Sequence, residues 1–354
     1  MGIQTRYIGC HPDEVSTWSE ASLVTLATAL CQSDTHWAAP DPAVMAYLIR
    51  KFKRHEIVMP DGRSAPVLRI DNPGSRLLKR GIEQNFMIWT FTESTHLWKS
   101  NVKLPTALID HVLCEHFGAM DAIFIVLHPD LTQPRLLGVS GLAGGHPNDS
   151  QEHKVPTLYL SSAILDPEIR GHQASMLFFH QVDWRGSAFS RSATYYNVVL
   201  KTCSAPVFKL CDFLISQVTP EEWAALAPLS APYISHAGIP SADIPEHHHT
   251  SVAWTQDLLG KVYDREQGLY VASASIASMD FNRGYRGEKS TLIDTLRQHG
   301  VSCDEQANPL GQTYLCVTVP RSNSFFTAMA QTLASTPALK GNIFELLKLL
   351  EAAL

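Results

Sequence analysis

The sequence predicts an α/β fold: a mixed, twisted sheet flanked by helices, with a mostly helical N-terminal region and a smaller C-terminal α/β region. Three observations carry this. Short β-rich apolar runs recur through the middle of the chain, beginning with Ala122-Ile123-Phe124-Ile125-Val126-Leu127. A helical pattern from Gln173 to about Trp184 separates two of these runs. Turn-forming clusters punctuate them, such as His128-Pro129-Asp130.

The elements follow in order. An early helix is expected over about 19–31. Asp41 followed by Pro42 reads as an N-cap with Pro at N1, and Val44, Tyr47, Leu48 and Phe52 then recur at helical spacing. Pro60-Asp61-Gly62-Arg63 reads as a turn. Pro105 opens another expected helix, stopped by Gly118. The run 122–127 and the run 136–142 read as a β-hairpin, and 157–165 as a third strand. Residues 194–200 form the next strand, Ser204-Ala205-Pro206 starts a short helix, and 213–215 reads as a further strand. Pro220, Pro228, Pro232, Pro240 and Pro245 then mark a linker or arm. Beyond it, strands are expected at 269–276 and 313–319. Helices are expected at 290–299, closed by Gly300, and at 322–333 and 337–353. The implied regions are 1–119, 120–218 and 219–354.

Composition limits the function. The chain has 354 residues, 45% hydrophobic and 18% charged, which is ample for a core. Its net charge of −6 argues against nucleic-acid binding, which needs clustered Lys and Arg. Two short basic stretches, Arg50-Lys51-Phe52-Lys53-Arg54 and Arg76-Leu77-Leu78-Lys79-Arg80, read as solvated faces. The seven cysteines include no C-x-x-C pair, so a reducing compartment is expected and a disulfide framework is not. No apolar run approaches the roughly 18 residues a membrane span requires. The opening residues lack an apolar signal region, and Arg6 stands where a myristoylation signal needs Ser or Thr. A cytoplasmic protein that binds neither membrane nor nucleic acid is expected, and a homodimer is allowed.

The chemistry concentrates after the third strand, at Leu165-Asp166-Pro167-Glu168-Ile169-Arg170-Gly171-His172-Gln173-Ala174-Ser175. A strand-to-helix turn leaves backbone N–H groups at the positive pole of a helix, which suits a diphosphate. This stretch, with the order of strands and helices over 122–215, resembles the GNAT acyltransferase superfamily, whose central motif is Val-x-Pro-x-x-Arg-Gly-x-Gly-x-Gly/Ala. The first seven positions fit. Gln173 stands where Gly is usual, and Ser175 where Gly or Ala is usual. The resemblance covers about 120–217. It implies acetyl-CoA or another acyl-CoA as cofactor, held by Leu165, Arg170, Gly171, His172, Gln173, Ala174 and Ser175.

It also implies acyl transfer to a small-molecule amine or a protein amine by direct attack. Such a reaction needs positioning, a proton acceptor and polarisation of the thioester carbonyl. Glu168, His172 and His153 stand near the turn as possible bases, and Tyr159, Ser161, Tyr195 and Asn197 as cleft-lining residues. The family's proton-donating Tyr is replaced here by Phe208, and its following Gly by Asp212. Tyr196, Tyr195 or Cys211 is then left to supply the proton, and Glu168, His172 and Tyr196 form the catalytic set. The alternative is an inactive GNAT-like binding or scaffold module, favoured by Gln173, Phe208 and Asp212.

Other constellations are weaker. Glu246-His247-His248-His249 reads as a polar loop, since consecutive extended residues point to opposite faces and cannot all meet one metal. No metal site is expected. Gly138-Val139-Ser140-Gly141 falls one residue short of a hydrolase nucleophile elbow. A P-loop and a dinucleotide-binding Gly-x-Gly-x-x-Gly are absent.

Overall fold

A computed structural model describes residues 39–59, 61–77, 81–101, 120–145, 157–161, 163–169, 195–202, 207–209, 216, 220, 233–236, 239–258, 265, 288–308 and 313–320. Within these residues the strands are β1 (Lys53–Val58), β2 (Ser64–Asp71), β3 (Ala122–Leu127), β4 (Leu136–Gly145), β5 (Thr157–Leu160), β6 (Ile164–Leu165), β7 (Tyr195–Thr202), β8 (Tyr233–His236) and β9 (Thr313–Pro320). The α-helices are α1 (Pro42–Phe52), α2 (Pro73–Leu77), α3 (Ile82–Asn101), α4 (Glu246–Leu258) and α5 (Lys289–Gln298). The class is α/β, with a mixed sheet and flanking helices. The chain divides into two compact units, one of Met1–Leu142 with Ala163–Ile169, the other of Ala143–Ser162 with Arg170–Leu354. These boundaries differ from the divisions near 119 and 218 suggested by composition. A strand pair held by ladder hydrogen bonds need not respect a change in local sequence character.

In the first unit, β1, β2, β3 and β4 pair antiparallel in chain order, and β6 pairs antiparallel with β4. β3 is buried at every residue, as a strand covered on both faces must be. The β3–β4 hairpin arises as its sequence predicts, with a bulge between Val126 and Leu127. The hairpin β1–β2 differs from the helix-and-loop reading of this region. Its charges and Pro66 mask an alternating pattern, and its turn is closed by the Gly62 N–H donating to the Met59 carbonyl at 2.9 Å, with Gly62 at a φ of +86°. The first basic stretch therefore runs from the end of α1 into β1.

Helix α1 begins where predicted. Asp41 Oδ1 accepts from the Ala43 N–H at 2.8 Å, satisfying one of the free donors of the first turn. Met45, Leu48 and Phe52 form its buried stripe. Asp41→Ala is expected to lower stability by about 1 kcal/mol, read as a shift of the urea midpoint with an unchanged slope. Helix α3 is covered on several sides, since the consecutive residues Phe86, Met87, Ile88, Trp89 and Thr90 are all buried. Glu83 on α3 accepts from both Lys51 and Arg76. Burial pushes the Glu83 carboxyl up, but these two donors outweigh it and hold the group below the ordinary carboxylate range. The Arg76 guanidinium also lies over the Phe52 ring at 5.0 Å, so α1, α2 and α3 are tied at one point.

In the second unit, β5 pairs parallel with β7, β7 antiparallel with β9, and β9 antiparallel with β8. The segment read as a Pro-rich linker thus contributes a paired strand, β8. The Glu246-His247-His248-His249 segment is the first turn of α4 and not a loop. Ile244 and Val252 form a small core with Tyr233 and Ile239 packed on it. Gly145 sits beneath the Trp254 indole, and an added Cβ would lie 2.8 Å from that ring. Helix α5 ends as predicted: Gly300 takes a φ of +71°, and the Val301 N–H donates to the Leu296 carbonyl at 2.9 Å. The expected elements at 19–31, 105–117, 173–184, 213–215, 269–276, 322–333 and 337–353 lie outside the described residues.

Candidate active site

The stretch 157–165, read as one strand, is two pairings in succession. Thr157–Leu160 lie parallel to Asn197–Leu200. Ser161 and Ala163 belong to no ladder, and Ile164 and Leu165 then pair with Val139 and Gly138. A parallel pair requires a crossover of a dozen or more residues. The chain supplies it between β5 and β7, the interval that contains the Arg170–Ser175 motif.

The ladder against β4 continues one residue further, with the Asp166 N–H donating to the Leu137 carbonyl at 2.7 Å. Asp166 then organises the turn. Its Oδ1 accepts from the Glu168 N–H at 2.9 Å, and its carbonyl accepts from the Ile169 N–H at 3.0 Å. Pro167 has no N–H to place. The result is a 3₁₀ turn over Pro167–Ile169, with Ile169 fully buried. Every backbone donor from Asp166 to Ile169 is thereby used within the protein. Any amide free for a diphosphate must come from Arg170 onward.

Charge in the turn is balanced by Arg135, at the entry to β4. Its guanidinium pairs with Glu168 and lies 3.5 Å from Asp166 Oδ2. Inspection of the sequence does not single out Arg135. Its partners are more than 30 positions away, and only the β4–β6 pairing brings them together.

Gly138 makes that pairing close. A Cβ there would lie 2.6 Å from Leu165 Cδ2 and 3.4 Å from both the Ile164 carbonyl oxygen and Val126 Cγ2. Leu165 is accordingly buried, its side chain lying over the backbone of β4. Of the other predicted site residues, Glu168 is bound to Arg135, and Tyr196 stands in β7 opposite Val319. Arg170, Gly171, His172, Gln173, Ala174, Ser175, His153, Cys211 and Asp212 lie outside the described residues. Phe208 is fully buried, its ring centroid 5.6 Å from that of His299. It is packed as a core residue.

Two hydroxyl residues stand at the end of β5. Tyr159 is buried, and desolvation pushes its phenol well above its ordinary range, although the neighbouring Ser161 hydroxyl pulls the other way. Ser161 is 5% exposed, and its Oγ has no hydrogen-bond partner.

A second polar cluster lies where α4 meets β8. Ser235 Oγ and His248 Nε2 are hydrogen-bonded, and the Tyr233 ring meets the imidazole edge-on at 5.1 Å. Taken alone, the pair has the composition of a serine nucleophile and its base. Both residues are fully buried, however, and burial, helped by His247 and His249, lowers the imidazole to about 3. A base that weak cannot activate a serine at neutral pH, and no substrate atom can reach it. The pair is structural. His249 is likewise committed, its Nε2 lying 3.0 Å from the Ser241 carbonyl. Among the described residues, no group of three or more His, Cys, Asp or Glu side chains could hold a metal ion. Nor is any described helix long and apolar enough to cross a membrane.

No family model and no curated protein matches this chain. Among solved structures, a chain of the KacTA–DNA complex is 24% identical and is matched over 30% of this chain and 65% of its own length, with a TM-score of 0.24. That score is too low to carry over either a fold or an activity.

Proposed function

We propose that this chain is an acyl-CoA-dependent acyltransferase of the GNAT type, acting on an amine by direct attack. The observation that carries the reading is the path of residues 157–169. A strand in a parallel pair leaves its ladder after Leu160 and ends in a turn that leads into the Arg-Gly motif. Ligands of α/β units gather at the carboxyl ends of such strands, where the next helix opens with free N–H groups.

The described half of the turn serves to hold the start of the motif in place. Its own amides are spent within the protein and offer an anionic ligand nothing, and Arg135 offsets part of the charge of Asp166 and Glu168. In this reading Arg170, Gly171, His172, Gln173, Ala174 and Ser175 hold the diphosphate, and Leu165 fixes the start of the turn against Gly138. Acyl-CoA supplies an activated thioester. The chain has to orient the amine and accept its proton. Glu168 would have to release Arg135 to take a proton, so the reading favours His172 as base and Tyr196 as the group that returns a proton to the departing thiolate. The acceptor is a small-molecule amine or a protein amine.

One observation favours a non-catalytic binding module: Phe208, buried against His299, has no proton to give. Calorimetric titration with acetyl-CoA, followed by a thiol-release assay over an amine panel, decides between the two. The enzyme reading expects saturable binding in the range of roughly 1 μM to 1 mM, with thiol release. Arg170→Ala should weaken acetyl-CoA binding by about tenfold or more, the loss of one charge-assisted contact. Binding without thiol release would leave the module. Absence of binding would sink the enzyme reading.

A further inference from the structure

Among the described residues, strand β1 pairs with β2 alone and so ends the row of strands. The ladder shows which of its backbone groups face outward. Opposed residues of an antiparallel pair alternate between bonded and non-bonded. The Met59 N–H donates to the Arg63 carbonyl at 2.7 Å, so Ile57 with Ala65 and His55 with Val67 are the bonded pairs. Glu56 stands opposite Pro66, which has no N–H to give, as this phase requires. The N–H and carbonyl groups of Glu56 and Val58 therefore point away from β2, and no described residue bonds them. Both residues are exposed, Val58 at 45%. An open edge of this kind is a template for a further strand.

The flank of this edge is cationic, on a chain whose net charge is −6. Arg50, Lys51, Lys53 and Arg54 are all exposed. Arg76 joins them from the second basic stretch, lying over the Phe52 ring and sharing Glu83 with Lys51. Glu83 and Glu56 answer part of this charge. Arg54 donates to the Lys51 and Lys53 carbonyls, and among the described residues no carboxylate pairs with it or with Arg50.

We propose that the open edge of β1 binds an extended acidic segment of a partner protein, which adds to the sheet as a further strand. The main chain of the segment bonds the N–H and carbonyl groups of Glu56 and Val58. An apolar side chain lies by Val58, and acidic side chains reach Lys53, Arg54 and Arg50. Charge on an edge strand ordinarily prevents pairing with another copy of itself. Its sign decides what else it does. Cations on this edge repel a second β1 and attract a strand of acids, so one feature excludes self-pairing and selects the partner. A nucleic acid fits less well. Phosphate contacts need cations free of competing carboxylates, and Glu56 and Glu83 stand among these cations. A phosphate chain also brings no donor to the outward carbonyls. The inference is independent of the acyltransferase reading.

The test titrates the full-length protein into a fluorescein-labelled peptide of alternating valine and threonine followed by a run of glutamates, read by fluorescence anisotropy. Saturable binding is expected with a Kd below about 1 mM, weakening as salt is added. The matching peptide with lysines for glutamates should bind at least about tenfold more weakly. Arg50→Glu combined with Arg54→Glu should cost the acidic peptide about tenfold in affinity. The melting temperature should move little, since both side chains are exposed. Val58→Pro removes one outward N–H and no ladder bond, and it should also lower affinity. Amide exchange of the wild-type protein, followed by NMR, needs no variant. Bound peptide should slow exchange at Glu56 and Val58 by about tenfold or more and leave Ile57, already in the ladder, as it was. No binding up to about 1 mM, equal affinity for the lysine peptide, or binding that leaves the Glu56 and Val58 amides unprotected would overturn the inference. So would displacement of the peptide by a DNA duplex at lower concentration, which would assign the cations to nucleic acid.

Discussion

Gly138→Ala is expected to destabilise the protein by about 1–3 kcal/mol, the usual cost of forcing a group into a filled core. The added methyl carbon would lie 2.6 Å from Leu165 Cδ2, a distance no real Cβ contact tolerates. Leu165 could turn aside, but its buried side chain has little room, and the Ile164 carbonyl and Val126 bound the new methyl on its other sides. The strain falls on the two-residue ladder of β6, which positions the Asp166 turn through the Asp166 N–H to Leu137 bond. Gly138→Ala should therefore lower the urea midpoint and also weaken acetyl-CoA binding, although residue 138 touches no ligand in the proposed site. Leu165→Val in the Gly138→Ala background removes the colliding carbon and should recover part of the stability. If Gly138→Ala unfolds at the wild-type midpoint, β4 and β6 are not packed as closely as the geometry indicates. The test separates a packing effect from a binding effect, because the two readouts are independent.

Much of this frame is legible from local pattern alone. Asp41-Pro42, the run 122–127, the return at 136–142 and the Gly300 stop all carry signals that act within a few residues: a cap, an apolar strand, a turn and a left-handed glycine. What local pattern misses is set by pairing at a distance. β1 is half charged, with Lys53, Arg54 and Glu56 exposed to solvent, so its apolar alternation is faint. β8 hides between prolines that break a helix but leave a four-residue strand free to pair with β9. The histidines at 247–249 read as a loop because two of them are buried by contacts that no neighbouring residue announces.

The candidate site follows the same rule. The sequence 165–175 marks a turn by its own residue types, whereas Arg135 and Gly138 join it only through the antiparallel pairing of β4 with β6. The loss of a partner at Ser161 is equally invisible in sequence. A serine beside a strand is ordinary, and only the full set of neighbours shows that its donor is unspent.

Mild acid should destabilise this protein through His248, by about 2 kcal/mol at pH 5 relative to neutral pH. The imidazole is fully buried where α4 meets β8, and desolvation is the main reason its folded-state value drops to about 3. The ordinary value of 6.5 applies in the unfolded chain. A histidine whose folded value is depressed binds its proton more readily when unfolded. Its contribution is therefore fully present above about pH 6.5 and is lost progressively as pH falls from there towards 3. The surroundings offer an imidazolium no relief. Ser235 occupies Nε2, Nδ1 is buried without a partner, Tyr233 presents its ring, and His247 and His249 flank it on the same helix. The Glu246 carboxylate is paired with Arg265. The carboxylates of Asp61, Glu83 and Asp130, each held below its ordinary value by hydrogen-bond donors, also lose stability in acid, so the His248 share must be isolated by difference. Chemical unfolding of wild type and His248→Gln at pH 7, 5.5 and 4.5 provides that difference. The variant should be the less stable protein at pH 7, where it lacks the packed ring. The gap should narrow as pH falls, because glutamine takes up no proton in the unfolded state. Two parallel stability profiles would mean that His248 is protonated alike in both states and that the space between α4 and β8 admits water.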